Sequence, residues 1–233
     1  MCIRDRYIIA YCRESVERAK KADDTQLSVL RIGTSTMTPG QTIVDMWTQI
    51  REEIPDIKFQ LVPFENTPEN AREILKNMGK NIDIVCGVYD ERALKNWQCA
   101  AQFVADVPMR CAVSFYDPLA KKDRLTVEDL HGRSIMLIRE GWNEETDRLR
   151  KWLTEEHPEI NIVTFDFINL SVFNDCENSD HILMCIDMWS NVHPLLKTLP
   201  VDWDYSMPFG LLHAPKPSKT VKRFLNAVKK LNK

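Results

Sequence analysis

The chain has 233 residues, of which 44% are hydrophobic and 28% charged, and its formal net charge is -3. That is length enough for one large domain or for two lobes of roughly 100 residues, either of which can bury a working core. Lysines and arginines are scattered among acids, which argues against a DNA-reading surface; no apolar run approaches the roughly 18 residues needed to span a bilayer; and seven cysteines without framework spacing suit a reducing compartment.

The opening MCIRDRYIIAYCRE is broken by charges and lacks the apolar core of a secretory signal, so we expect a cytoplasmic protein. Between Tyr7 and Ala22 the residues Ile9, Cys12, Val16 and Ala19 recur three and four apart, a narrow heptad seam suited to a second copy of itself or to loose packing on its own domain. Asp23, Asp24 and Thr25 end this segment as a polar linker.

Leu27 to Gly33 reads as a buried strand. Thr38 at an N-cap, Pro39 at the first helical position and Gln41 at the third predict a helix start, with Ile43, Trp47, Ile50 and Ile54 on its inner face. Ile57 to Val62 alternates as a strand, Thr67-Pro68 opens a helix facing inward through Ala71, Ile74, Leu75 and Met78, and Ile82 to Cys86 is the next strand. This β-α-β-α-β order demands parallel strands with crossover helices, and it places a ligand crevice at the strands' carboxyl ends.

Pro108 marks a change of lobe. Beyond it lie an exposed loop and one turn of helix opened by Thr126, with Asp129 three residues on and Gly132 at its end. The rhythm then repeats: strand Ser134 to Ile138, helix Glu144 to Glu156, strand Ile160 to Phe165, helix Ser171 to Cys176 and strand His181 to Ile186. His193 to Leu199 is expected to be helical, and Pro200 to Pro208 to cross back to the first lobe for a last strand, Phe209 to His213, and a helix from Ser218. Two crossings predict a hinge. The expected fold is therefore α/β in two lobes: 26–105 with 208–233 as lobe I, 106–207 as lobe II, and 1–25 as a separate helical segment.

Three segments carry a resemblance in their order and spacing: LSVLRIGTSTMTPGQ, NAREILKNMGKNIDIVCGVYDE and DPLAKKDRLTVEDLHG. Together they resemble the effector-binding domain of LysR-type transcriptional regulators over about Leu27 to Leu231 by pattern. The resemblance implies two Rossmann-like lobes of the type 2 periplasmic-binding-protein-like kind, a small effector between them, and dimers or tetramers. It also implies that 7–22 is the tail of a dimerising linker helix, and that DNA is reached only through a winged helix-turn-helix preceding this chain. Residues 1–6, MCIRDR, resemble the translation of a transposon end used in sequencing libraries, a scar expected to play no part in the fold.

For the effector, Thr34, Ser35 and Thr36 follow the first strand, where hydroxyls and free backbone N–H groups at a helix N-terminus favour a carboxylate; alternatively they only cap the helix. Opposite them, Gly141 permits close backbone approach, Asn143 caps a helix and Trp142 is placed to cover an apolar ligand. Glu144 and Glu145 would repel a second anionic group, so a zwitterionic, cationic or neutral effector fits as well as a dianion; alternatively both are solvated first-turn residues. Tyr89 and Trp189 stand on crevice-facing loops, as packing residues or as contacts.

Cys176 and Cys185 are nine apart, as in peroxide-sensing members of that family, but neither stands near the Gly141 turn where the reactive residue would lie. The five histidines are dispersed without metal-ligand spacing, no cofactor is implied, and no catalytic motif is present. A solute-binding protein of the same fold is the alternative, and a secretory signal upstream of Tyr7 would distinguish it.

Overall fold

The computed structural model describes residues 28–38 and 40–231. The seam at Ile9, Cys12, Val16 and Ala19 lies outside them. Strands β1 (Ser28–Thr34), β2 (Ile57–Pro63) and β3 (Ile84–Val88) are joined by helices α1 (Gln41–Ile50) and α2 (Pro68–Lys76), and both β2 and β3 run parallel to β1. Helix α3 (Glu91–Trp97) then leads into a 15-residue strand, β4 (Ala100–Ser114). The second half repeats the plan with β5 (Ser134–Ile138), α4 (Glu144–Glu156), β6 (Asn161–Phe165), α5 (Leu170–Glu177) and β7 (Ile182–Ile186), where β6 and β7 are parallel to β5. Strands β8 (Leu196–Pro200) and β9 (Ser206–His213) and helix α6 (Lys219–Leu231) complete the chain.

The strand order is β2-β1-β3-β9-β4-β7-β5-β6, with β8 pairing β4 off this path. Its centre is β4. The first part of β4 is antiparallel to β9 from Ala100↔His213 to Pro108↔Ser206, with a register shift between Phe103 and Ala105; the later part pairs with β7 and β8. Both crossings between the lobes are thus one hydrogen-bonded ribbon. Gly210 belongs to it for steric reasons: a Cβ there would lie 2.3 Å from the Gln102 carbonyl oxygen and 2.8 Å from Tyr89 Cε1.

Hydrophobic pattern explains the layers. In α1, Ile43, Met46 and Ile50 are buried at helical spacing, and together with Ile54, Phe224 and Val228 they form one core beneath β1 and β3. A separate core gathers the β5 and β7 side chains with Leu149, Leu153 and Phe173. Trp47, expected inside, is half-buried and packs on Phe59, its ring centroid 4.1 Å away.

Three expectations need correction. Thr38 is not the N-cap of α1: it exchanges two backbone hydrogen bonds with Ser35 in a tight turn, and Gly40, which has no side chain to cap with, occupies the cap position. The stretch expected to be helical after His193 is strand β8, because Pro200 biases Leu199 toward extended backbone and β4 offers an unpaired edge. Helix α3, absent from the sequence reading, is capped by Asp90. The Thr126 turn forms as expected, with Thr126 N–H donating to Asp129 Oδ2 at 2.9 Å and Asp129 N–H to Thr126 Oγ1 at 3.4 Å.

Candidate functional site

A cavity of about 130 Å³ lies where the carboxyl ends of the parallel strands from both halves converge. From the first half come Met37 and Thr38 after β1, Phe64 and Asn66 after β2, and Gly87 and Val88 of β3. Helix α2 adds Ala71, Ile74 and Leu75. These three were expected in a core, yet none is fully buried, because the face they present borders the cavity. From the second half come Trp142 after β5, Phe167 and Ile168 after β6, and Met188 and Trp189 after β7.

Two direct hydrogen bonds join the walls. Trp189 Nε1 donates to the Met37 carbonyl at 3.0 Å, and Asn66 Nδ2 donates to the Ile168 carbonyl at 2.8 Å. The lining is otherwise mostly hydrocarbon and aromatic, with the Thr38 hydroxyl and Asn66 amide among its few polar side chains. Sharing Ala71, Leu75, Trp97, Trp142 and Phe167, a larger recess of about 480 Å³ opens outward. Its rim carries Arg72, Arg139, Glu69 and Asp166, all exposed.

The loop of Thr34, Ser35 and Thr36 turns its polar groups on itself. Thr34 Oγ1 accepts from Gly40 N–H and donates to the Thr38 carbonyl, both at 3.2 Å, while the Ser35 and Thr38 hydroxyls are 2.7 Å apart. Thr36 is exposed. Rather than leaving its N–H groups free for an anion, the loop employs those of Ser35, Thr38 and Gly40 internally, and it delivers Met37 and Thr38 to the cavity.

At the opposing turn, Trp142 reaches the cavity, whereas Gly141 is exposed and Asn143 is buried beneath the helix it caps. Gly141 is required for its φ of +80°, since nothing lies within 4 Å of a Cβ there. Its N–H donates to both carboxylate oxygens of Asp147 at 2.9 and 3.2 Å. The start of α4 is saturated as well: Asn143 Oδ1 accepts from Glu145 and Thr146 N–H, and Asp90 Oδ2 from Glu144 N–H. A helix start so occupied has its orphan donors filled by the protein's own acceptors.

Asp90, from the first half, is only 6% exposed and also caps α3 through Oδ1 and Ala93 N–H at 2.5 Å. Close by, Arg92 pairs with Asp147 at 3.1 Å across the two halves. Tyr89 is not part of the cavity wall; its ring edge packs at Gly210, and its N–H donates to the Pro208 carbonyl.

Burial pushes the thiols of Cys86, Cys176 and Cys185 up to about 12. Thiols so buried are poor nucleophiles. Among the described residues, no group of three or more His, Cys, Asp or Glu side chains is placed to hold a metal ion, and no helix is long and apolar enough to cross a membrane.

Neither a protein-family model nor a curated relative matches the sequence. Solved structures do. The effector-binding domain of QuiR in complex with shikimate has a TM-score of 0.60 at 15% identity, covering 88% of this chain and 97% of that one. CbnR, a LysR family transcriptional regulator, has a TM-score of 0.68 at 13% identity, over 98% of this chain and 78% of that one. The BenM effector-binding domain with benzoate has a TM-score of 0.56 at 15% identity, over 89% and 93%. The fold is that of LysR-type effector-binding domains, which is type 2 periplasmic-binding-protein-like.

Proposed function

We propose that the chain is the effector-sensing part of a LysR-type transcriptional regulator, with 26–105 and 208–233 as lobe I, 106–207 as lobe II and a small-molecule site between them. The observation that carries this reading is the cavity, to which loops after β1, β2, β5, β6 and β7 all contribute. Its size is close to the roughly 150 Å³ of a dry cavity that accepts benzene. A compact ring or short branched chain suits the inner space, and a carboxylate or zwitterionic end suits the recess with Arg72 and Arg139. Effector binding shifts the lobes only as far as its affinity differs between their arrangements.

Trp142, Met37 and Thr38 are assigned as contacts, and Ser35 and Thr34 as the groups that hold Thr38 in place. Gly141 and Asn143 set the Trp142 turn. Thr36 and Tyr89 have the weakest claim on geometry. Self-association through the seam at Ile9, Cys12, Val16 and Ala19, and DNA contact through a winged helix-turn-helix encoded upstream, complete the proposal.

Aromatic carboxylates, aromatic amino acids and sugar acids screened by thermal shift test it. A ligand at one hundred times its Kd stabilises by about 2.7 kcal/mol, or about 5–11 °C in a chain of this size. The expected hit is an aromatic or branched carboxylate whose shift disappears in Trp142→Ala and Thr38→Val. A hit unchanged in both variants would refute the site.

A further inference from the structure

On the second lobe, away from the cavity, the C-terminal half of α4 and the segment before β9 enclose an open pocket of about 460 Å³ with walls of unusual composition. Trp203 and Tyr205 meet at 89°, their ring centroids 6.4 Å apart, so that two aromatic faces form a corner. Trp152 extends the Tyr205 wall at 5.6 Å, and His157 stands edge-on to Trp152 at 4.5 Å. The His157 ring is itself fixed by a 3.1 Å contact between its Nδ1 and His131 Nε2.

Three carboxylates line the same pocket: Glu128, Asp202 and Asp204. One oxygen of Asp202 is engaged by Val127 N–H at 3.0 Å, and all three side chains belong to exposed residues. The arginine lining the pocket is Arg148, whose guanidinium stands 5.8 Å from the Tyr205 centroid, pairs with Glu145 at 2.7 and 2.9 Å and also feels the Asp204 charge. Tyr205 thus already holds one cation over its ring. The adjoining corner with Trp203 places Glu128, Asp202 and Asp204 around the same pocket, three carboxylates against the one guanidinium that already pairs with Glu145.

Aromatic faces carry negative quadrupole potential, and a corner of them beside carboxylates attracts a diffuse cation that sheds water cheaply. We propose that this pocket binds a small quaternary or methylated ammonium compound, independently of the cleft effector. A compact ammonium or metal ion fits less well, because its hydration is too strong to exchange for ring faces. Neutral ligands keep apolar contact with the rings but forgo the electrostatic attraction of both rings and carboxylates.

Isothermal titration of the full chain with choline chloride and tetramethylammonium chloride, against sodium chloride and the neutral isostere 3,3-dimethylbutan-1-ol, tests the assignment. The expected result is saturable binding of both cations, absent for the alcohol and the salt. Trp203→Leu removes one wall and is expected to weaken binding roughly tenfold. Trp203 Nε1 also donates to the Met109 carbonyl at 2.9 Å, so Asp204→Asn serves as a second variant that leaves packing intact, with affinity expected to fall several-fold. No saturable heat, equal affinity for the alcohol, or unchanged affinity in Asp204→Asn would overturn the proposal.

Discussion

Replacing Asp90 removes two helix caps at once. Its Oδ1 accepts from Ala93 N–H at 2.5 Å on its own helix, and its Oδ2 from Glu144 N–H at 2.8 Å at the start of α4 in the other lobe. A lost N-cap costs about 1 kcal/mol, and stranding a second, partly buried donor costs about another 1–3 kcal/mol. Asp90→Ala is therefore expected to lose about 2–4 kcal/mol, or about 4–16 °C in Tm at 2–4 °C per kcal/mol. Asp90→Asn separates the contributions: its amide oxygen keeps the Ala93 cap, while its NH2 group faces the Glu144 N–H donor to donor. About half the loss or more should remain. Urea unfolding followed by circular dichroism and tryptophan fluorescence reads both values, provided the two transitions coincide. An alanine variant within about 0.5 kcal/mol of the parent, the range of an ordinary surface change, would refute the double cap. An asparagine variant matching the parent would refute its part between the lobes.

Gly210→Ala is expected to cost about 3 kcal/mol or more in the same assay, because the new Cβ meets a backbone oxygen that cannot swing aside; a loss below about 1 kcal/mol would show that the ribbon yields. Desolvation raises the pKa of Asp117, but hydrogen bonds from Arg133 and Leu119 N–H and the Arg133 charge outweigh it and leave the group below its ordinary 3.8. Stability from this group is then complete above pH 3.8 and lost as pH falls through the lower folded value. Urea midpoints measured from pH 5 to pH 2 should decline less steeply in Asp117→Asn, and an unchanged slope would contradict that. Iodoacetamide at pH 8 is expected to leave Cys86, Cys111, Cys176 and Cys185 unmodified in the native protein and to label them after denaturation, as read by peptide mass mapping.

Periodicity placed most elements. The bounds of β5 and α4 were legible, since Ile135 to Ile138 is a continuous apolar run behind Ser134 and Asn143 opens its helix with an ordinary cap. Local pattern failed where tertiary partners decide. β8 is extended because β4 supplies an edge, and α1 starts late because Ser35 and Thr34 draw off Thr38 and Gly40. In the candidate site, Trp142 was legible from its position after a parallel strand. Asp90 and Asp147 were not, since their partners lie 54 and 6 residues away and no motif joins them. The inward residues of α2 were legible as apolar, but an apolar stripe reads alike whether it faces a core or a void. Asn66 and Ile168 have a sequence separation of 102, beyond the reach of any local signal.

That β4 and β9 pass between the lobes as a paired ribbon, rather than as two loose strands of coil, limits the movement open to the molecule. A pair of laddered strands resists stretching and in-plane bending but accommodates changes of twist. Reorientation of the lobes should then be a rotation about the ribbon's long axis, small in angle and elastic in return. Such a torsion element converts a load on one lobe into a turn of that lobe against the other.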